Sequence, residues 1–133
     1  MIDKEKKQII IKKIESYFKE IEDMNIKNIK DLNLVKLRAV SMDIFSIINL
    51  TIDLGNEIIF SSNIGFPSEY KEIFTIIRRK GIIDEKLENE LKDLIILRNK
   101  ISHKYGDLTE KEIFDSIKKI NVVKDFIKKI KTK

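Results

Sequence analysis

Cysteine and tryptophan are absent from this 133-residue chain, histidine and proline occur once each, and glycine occurs four times. Without cysteine there can be no disulfide, no thiolate zinc site and no thiol nucleophile. A single histidine also excludes a His-rich metal site within one chain. Any catalysis therefore falls to carboxylates, lysines, arginines, hydroxyls or His103. No run reads as long and apolar enough to span a bilayer. The N-terminal "MIDKEKKQIIIKKI" mixes both charge signs and lacks the uninterrupted apolar stretch of a signal peptide. The expected location is the cytoplasm, with no membrane partner.

What is present is apolar and charged in nearly equal measure: 42% hydrophobic and 37% charged residues. That balance suits a folded, amphipathic helical chain rather than a disordered one. The length fits a single domain, residues 1–133, with one core. Twenty-seven basic residues stand against 22 acidic ones, a net charge of +5. A basic surplus is compatible with a polyanionic partner such as RNA. Most of these charges are interleaved, however, and on charge alone a solvated surface is the simpler reading.

Apolar residues recur at helical spacing along five segments. The first, about Asp3 to Asp23, places Ile10, Ile14, Tyr17, Phe18 and Ile21 on one face. "MNIKNIKD" interrupts the pattern. The second, about Leu32 to Ser61, carries a stripe through Leu34, Leu37, Ser41, Ile44, Ile48, Ile52, Gly55 and Ile59, widened by Val40, Ile47 and Leu54. So wide a stripe implies more than one neighbouring helix, and Gly55 permits a bend or a close approach. "SSNIGFPSEY" breaks the chain, with Pro67 able to occupy the first turn of a third helix, about Ser68 to Lys80. There Tyr70, Phe74 and Ile77 face inward, Gly81 ends the helix, and Arg78 and Arg79 suit the dipole of its last turn. Asp84 is a candidate cap for a fourth helix, about Glu85 to Lys104. Thr109 and Glu112 form a capping box for a fifth, running to about Lys129 with Ile113, Ile117, Ile120, Val123 and Ile127 inward. The expected fold is all-α, an up-and-down bundle of about five helices.

The special chemistry is concentrated in "ILRNKISHKYGD", Ile96 to Asp107. At roughly 100° per residue, Leu87, Leu91, Leu94, Arg98, Ile101 and Tyr105 share one stripe of the fourth helix. Arg98 interrupts that apolar face, which is costly unless the guanidinium is paired or reaches a wet cleft. Asn99 and His103 lie one turn apart on an adjacent flank. Arg98 and His103 diverge by roughly 140° on a regular helix. They meet at one substrate only if the helix breaks near Ser102 or if a dimer interface brings two copies of the stretch together. Structural readings compete with this. His103 can cap carbonyls in a last turn, Arg98 can snorkel or pair with Asp43 or Glu90, and Tyr105 can be a core-edge aromatic. On spacing alone these outweigh an active site.

"RNKISHKY" matches the Arg-x4-His-x-Tyr signature, with Asn after the Arg, and so resembles the HepT-like HEPN ribonuclease toxins. The stretch "GFPSEYKEIFTIIRRKGIIDEKLENELKDLIILRNKISHKYGDL" has that family's layout: Gly-x-Pro, an aromatic-containing helix, a Gly-Ile turn, then the signature helix. The likeness covers about Leu50 to Ile130, while the first two helices match in periodicity and length only. It implies an HEPN-like bundle that forms a homodimer, with the two signatures facing each other across a basic cleft. It implies cleavage of RNA without a metal or other cofactor. It also implies a partner, a minimal nucleotidyltransferase antitoxin that neutralises the toxin by adenylylating the signature tyrosine. By position, Arg98 and His103 are then the catalytic pair, Asn99 supports the site, and Tyr105 is the modified residue.

The residue types suit that chemistry. RNA supplies its own nucleophile in the 2′-hydroxyl. A histidine ordinarily titrates near neutrality and can transfer a proton, and an arginine can hold phosphate oxygens as charge builds on them. One histidine cannot readily be acid and base in one step. A dimer supplies two, or the second proton transfer falls to water or Tyr105. Many HEPN relatives are not nucleases, so two alternatives stand beside this reading. One is a non-catalytic helical partner of a nucleotidyltransferase. The other is a plain helical interaction protein, in which Arg98 would be tied up in an intrachain ion pair.

Overall fold

A computed structural model of the chain describes residues 2–103 and 108–132. Among these, all regular structure is helical: α1 (Ile2–Asp23), a single 3₁₀ turn (Ile29–Asp31), α2 (Leu34–Ser62), α3 (Tyr70–Arg79), α4 (Glu85–His103), α5 (Glu110–Lys119) and α6 (Val122–Lys131). The all-α bundle expected from periodicity is the fold observed. Isoleucine dominates the core, although a β-branched side chain is a mediocre helix former. These helices are therefore held by burial of their apolar faces rather than by intrinsic propensity.

The helix ends follow local rules. Asp84 Oδ1 accepts from the Leu87 amide at 2.8 Å and starts α4. Thr109 and Glu112 form the expected capping box of α5. Asn33 caps α2, and the left-handed backbone that closes it belongs to Asn63 (φ 52°). "MNIKNIKD" is itself ordered by hydrogen bonds: Asn28 caps the 3₁₀ turn and Asp31 accepts from the Lys27 and Asn28 amides. The fifth predicted segment arrives as two helices. At Ile120 and Asn121 the backbone stays right-handed, but the Asn121 and Val123 amides bond three residues back, to Lys118 and Ile120. The helix tightens there and re-aims its second half without a proline or glycine. Pro67 lies outside α3: Glu69 is the N-cap, and Glu72 accepts from the Ser68 amide instead.

α2 packs against α1, α3, α4 and α5. By length and composition alone it could cross a membrane, with a mean hydropathy of 1.3 over 18 residues, contrary to the sequence expectation. Contact with four neighbours accounts for that composition: Val40, Ile44, Ile47, Ile48, Ile52, Leu54, Ile58 and Ile59 are all buried. Leu34, expected on the stripe, is exposed at the first turn. Gly55 is a close-approach site. A Cβ there would stand 2.5 Å from Ile73 Cγ2, so α3 can lie directly on the α2 backbone. Phe74 and Phe126 meet edge to face at 5.7 Å and lock α3 to α6.

One buried polar cluster joins α3 to α4. The Glu88 carboxylate accepts from Arg78 Nε at 2.6 Å and Thr75 Oγ1 at 2.8 Å, and pairs with Lys92 Nζ at 2.6 Å. Arg78 thus has a partner of its own, beyond the helix dipole. Burial pushes the Glu88 pKa upward, but the Lys92, Arg78 and Thr75 hydrogen bonds outweigh it and hold the group at about 2. Its ionised form is favoured by folding, so the stabilisation is complete above the ordinary value of 4.5 and is lost as pH falls toward about 2. Glu88→Gln should therefore lower unfolding free energy at pH 7 by about 2 to 4 kcal/mol. Urea unfolding at pH 7 and again near pH 3 should show the gap to wild type shrinking at the lower pH.

Candidate functional site

Arg98 lies in the C-terminal half of α4, half-buried, with its side chain directed at α2 and α3. Nε donates to Asn49 Oδ1 on α2 at 2.8 Å, and Nη1 donates to the neighbouring Asn99 Oδ1 at 3.1 Å. The guanidinium carbon is 5.3 Å from the Phe45 ring centroid and 5.4 Å from that of Tyr70. Every one of these partners is neutral. No described carboxylate forms an ion pair with Arg98, and neither Asp43 nor Glu90 reaches it. Asp43 instead faces Glu20 of α1. Burial, with the Glu20 charge and hydrogen bond added, raises its pKa to about 6.

The arrangement follows from the inward position that the sequence assigns to Arg98. A cation at the edge of an apolar face loses part of its hydration. Amide oxygens and aromatic faces return some of that stabilisation without cancelling the charge. A guanidinium carries five N–H donors. Two are used by described residues, which leaves a fork of positive charge fixed in direction and able to take an anion in the bidentate manner of arginine.

The sequence reading missed three contributors. Asn49 and Phe45 stand one turn apart on α2, and Tyr70, expected inward, is 46% exposed at the start of α3 with its ring on Arg98. A polar Asn49 in the run "IFSIINLTIDL" was the available signal. Asn99 touches Arg98 through the Nη1 hydrogen bond. His103 is the last described residue of α4 and is exposed. α4 runs unbroken from Glu85 to His103, so the helix break near Ser102 does not occur. His103 therefore lies about 140° around the helix from Arg98 and roughly 7.5 Å further along its axis. Within one chain the two do not converge. Tyr105 and the end of the fourth helix at Lys104 and Gly106 lie outside the described residues.

A separate cavity of about 410 Å³ opens between α4 and α5–α6, lined among others by Asp93, Ile96, Lys100, Glu112 and Lys119. Those α4 residues sit roughly 140–160° around the helix from Arg98, and Lys100 is engaged with Glu112 at 3.7 Å. The cavity is distinct from the arginine site. Among the described residues no three His, Asp or Glu side chains gather as a metal-binding group.

The family model described as "Ribonuclease HepT-like" matches residues 8–130, and the chain belongs to the HepT-like ribonuclease family. Among solved structures, the chain superposes with a TM-score of 0.86 on a protein from a toxin–antitoxin crystal structure with AMP-PNP, at 20% identity, covering 96% of this chain and 98% of that one. A tri-AMPylated HEPN toxin of Shewanella oneidensis, in complex with MNT antitoxin, gives 0.82 at 24% identity, over 94% and 98% of the two chains. YutE of Bacillus subtilis, a cytosolic protein of unknown function, gives 0.85 at 22% identity, over 98% and 89%. A search of curated protein sequences finds no match. At these identities the superpositions establish the helical fold, and the family rests on the match over residues 8–130.

Proposed function

We propose that the protein is a metal-independent RNA endonuclease, the toxin of a toxin–antitoxin pair acting in the cytoplasm. One observation carries this reading: Arg98 is held by four neutral side chains, with no described carboxylate to neutralise it. A bundle that needed Arg98 only for packing would gain by pairing it with an acid, and the interaction-protein reading required such a pair. An un-neutralised, oriented guanidinium is what a phosphodiester needs.

Arg98 binds the non-bridging oxygens of the scissile phosphate. His103 takes the proton from the adjacent 2′-oxygen, which attacks phosphorus. The P–O5′ bond breaks, the 5′-oxygen leaves and is protonated by a second group, and a 2′,3′-cyclic phosphate remains. The divergence of Arg98 and His103 on an unbroken α4 supports a homodimer as the working unit. In it, one chain's histidine approaches the other's arginine and two imidazoles are available. The expected outcome of light scattering is a dimer at micromolar concentration without a partner. A monomer there counts against the composite site.

His103→Ala should reduce RNA cleavage by about 10² to 10⁴-fold, the usual contribution of a general acid–base group, and Arg98→Ala by at least as much. Both should abolish any growth inhibition and keep the fold, since neither opens a large apolar cavity. Cleavage by wild type should persist in EDTA and leave the cyclic phosphate, scored by end-group analysis of a labelled RNA. Full activity after His103→Ala, or cleavage that needs a metal, would refute this mechanism, whereas no cleavage by wild type would leave the non-catalytic partner reading in its place.

Tyr105 is proposed as the regulatory residue. A nucleotidyltransferase antitoxin would join the tyrosine oxygen to the α-phosphorus of ATP and release pyrophosphate. The added nucleotides would bring negative charge and bulk to where the RNA backbone binds. The AMPylated HEPN toxin among the similar structures supports this, as does the position of Tyr105 two residues after His103. Tyr105→Phe should resist neutralisation by a cognate transferase with ATP, and mass spectrometry of treated wild type should find the adenylyl mass on the Tyr105 peptide. Mass on another peptide would move the switch elsewhere.

A further inference from the structure

Two aromatic rings approach Arg98, and they differ in exposure. Phe45 is partly buried and packed against the core, whereas Tyr70 is 46% exposed. Phe45 with Asn49 and Asn99 already orients the guanidinium. Tyr70 leaves much of its ring in water, and its hydroxyl makes no hydrogen bond to a described residue. Its ring centroid stands 5.4 Å from the guanidinium carbon.

The geometry points to Tyr70 as a base-stacking platform beside Arg98, so that the site takes a nucleotide of single-stranded RNA with its phosphate on the arginine and its base on the tyrosine ring. The inference rests on the ribonuclease reading for its ligand. Every nucleobase offers a π-face, so such a platform tolerates sequence but requires a base that is free to leave its neighbours. A paired strand keeps its bases stacked within the helix and cannot supply one. The guanidinium under the ring suits the role, because a cation beside the aromatic face draws electron density and favours contact with an electron-rich base. Tyr70 is thus a binding residue that selects unpaired RNA, in addition to any help it gives in holding Arg98.

The test measures binding of a labelled oligouridine of about ten nucleotides, and of a ribose-phosphate strand of equal length lacking all bases, by fluorescence anisotropy. The dimeric protein would be used as wild type, Tyr70→Phe and Tyr70→Leu, each in the His103→Ala background that prevents cleavage. Losing one base–aromatic stack should weaken binding about tenfold. Tyr70→Leu should therefore lose about tenfold on oligouridine and almost nothing on the abasic strand, while Tyr70→Phe keeps wild-type affinity for both. Annealing the oligouridine to its complement should remove the difference between Tyr70→Leu and wild type. If Tyr70→Leu weakens both strands equally, the residue only holds Arg98 and the platform is overturned. Cleavage by the same variants with His103 restored separates this result from the catalytic reading. Cleavage with a KM unchanged by Tyr70→Leu refutes the platform and leaves the nuclease. Tyr70-dependent binding without cleavage by wild type retains the platform and refutes the nuclease.

Discussion

Everything in this bundle is arranged around the burial of α2. A 29-residue helix with apolar side chains on several sides cannot be satisfied by one partner. It is wrapped by α1, α3, α4 and α5, and the connections are ordered accordingly. Gly55 removes a Cβ that would keep α3 at a distance. The tightened turn at Ile120–Asn121 lets the last part of the chain continue around the bundle as α6, where Phe126 meets Phe74. The same packing sets Phe45 and Asn49 of α2 against the polar end of α4, so the scaffold and the arginine site share a wall.

Glu88 and Arg98, both charged and directed inward from α4, are treated in opposite ways. Glu88 is buried and fully compensated, by two cations and a hydroxyl, which makes it a joint between α3 and α4. Arg98 is half-buried and compensated only by amide oxygens and aromatic rings. Pairing stabilises a buried charge and also cancels its field. Neutral ligands orient a charge and leave its field available. Within one helix, then, one inward charge is cancelled by its partners and the other keeps its field.

Within one chain the proposed catalytic pair nevertheless stays apart. His103, at the far end of α4, faces away from Arg98 because the helix does not break. In the proposed homodimer the roughly 140° divergence would present each histidine outward to a neighbour.

Periodicity, caps and turn residues determined the helical class, the register of the core faces and most helix ends. These depend on contacts within a few residues, such as Asp84 with Leu87 and Thr109 with Glu112. Sequence also determined that Arg98 would interrupt an apolar face, because that follows from angle alone. It could not determine what Arg98 would meet. Asn49 is 49 positions away along the chain, and whether an inward cation finds a carboxylate or an amide depends on how α2, α3 and α4 pack. The outward ring of Tyr70 had the same origin. Helical spacing put it with Phe74 and Ile77, but at the first residue of α3 the neighbour it meets is a guanidinium rather than the core. Continuity of α4 through His103 was likewise decided by the fold. The local sequence allowed a break near Ser102, while the buried Ile101 anchors the last turn of the helix in the core.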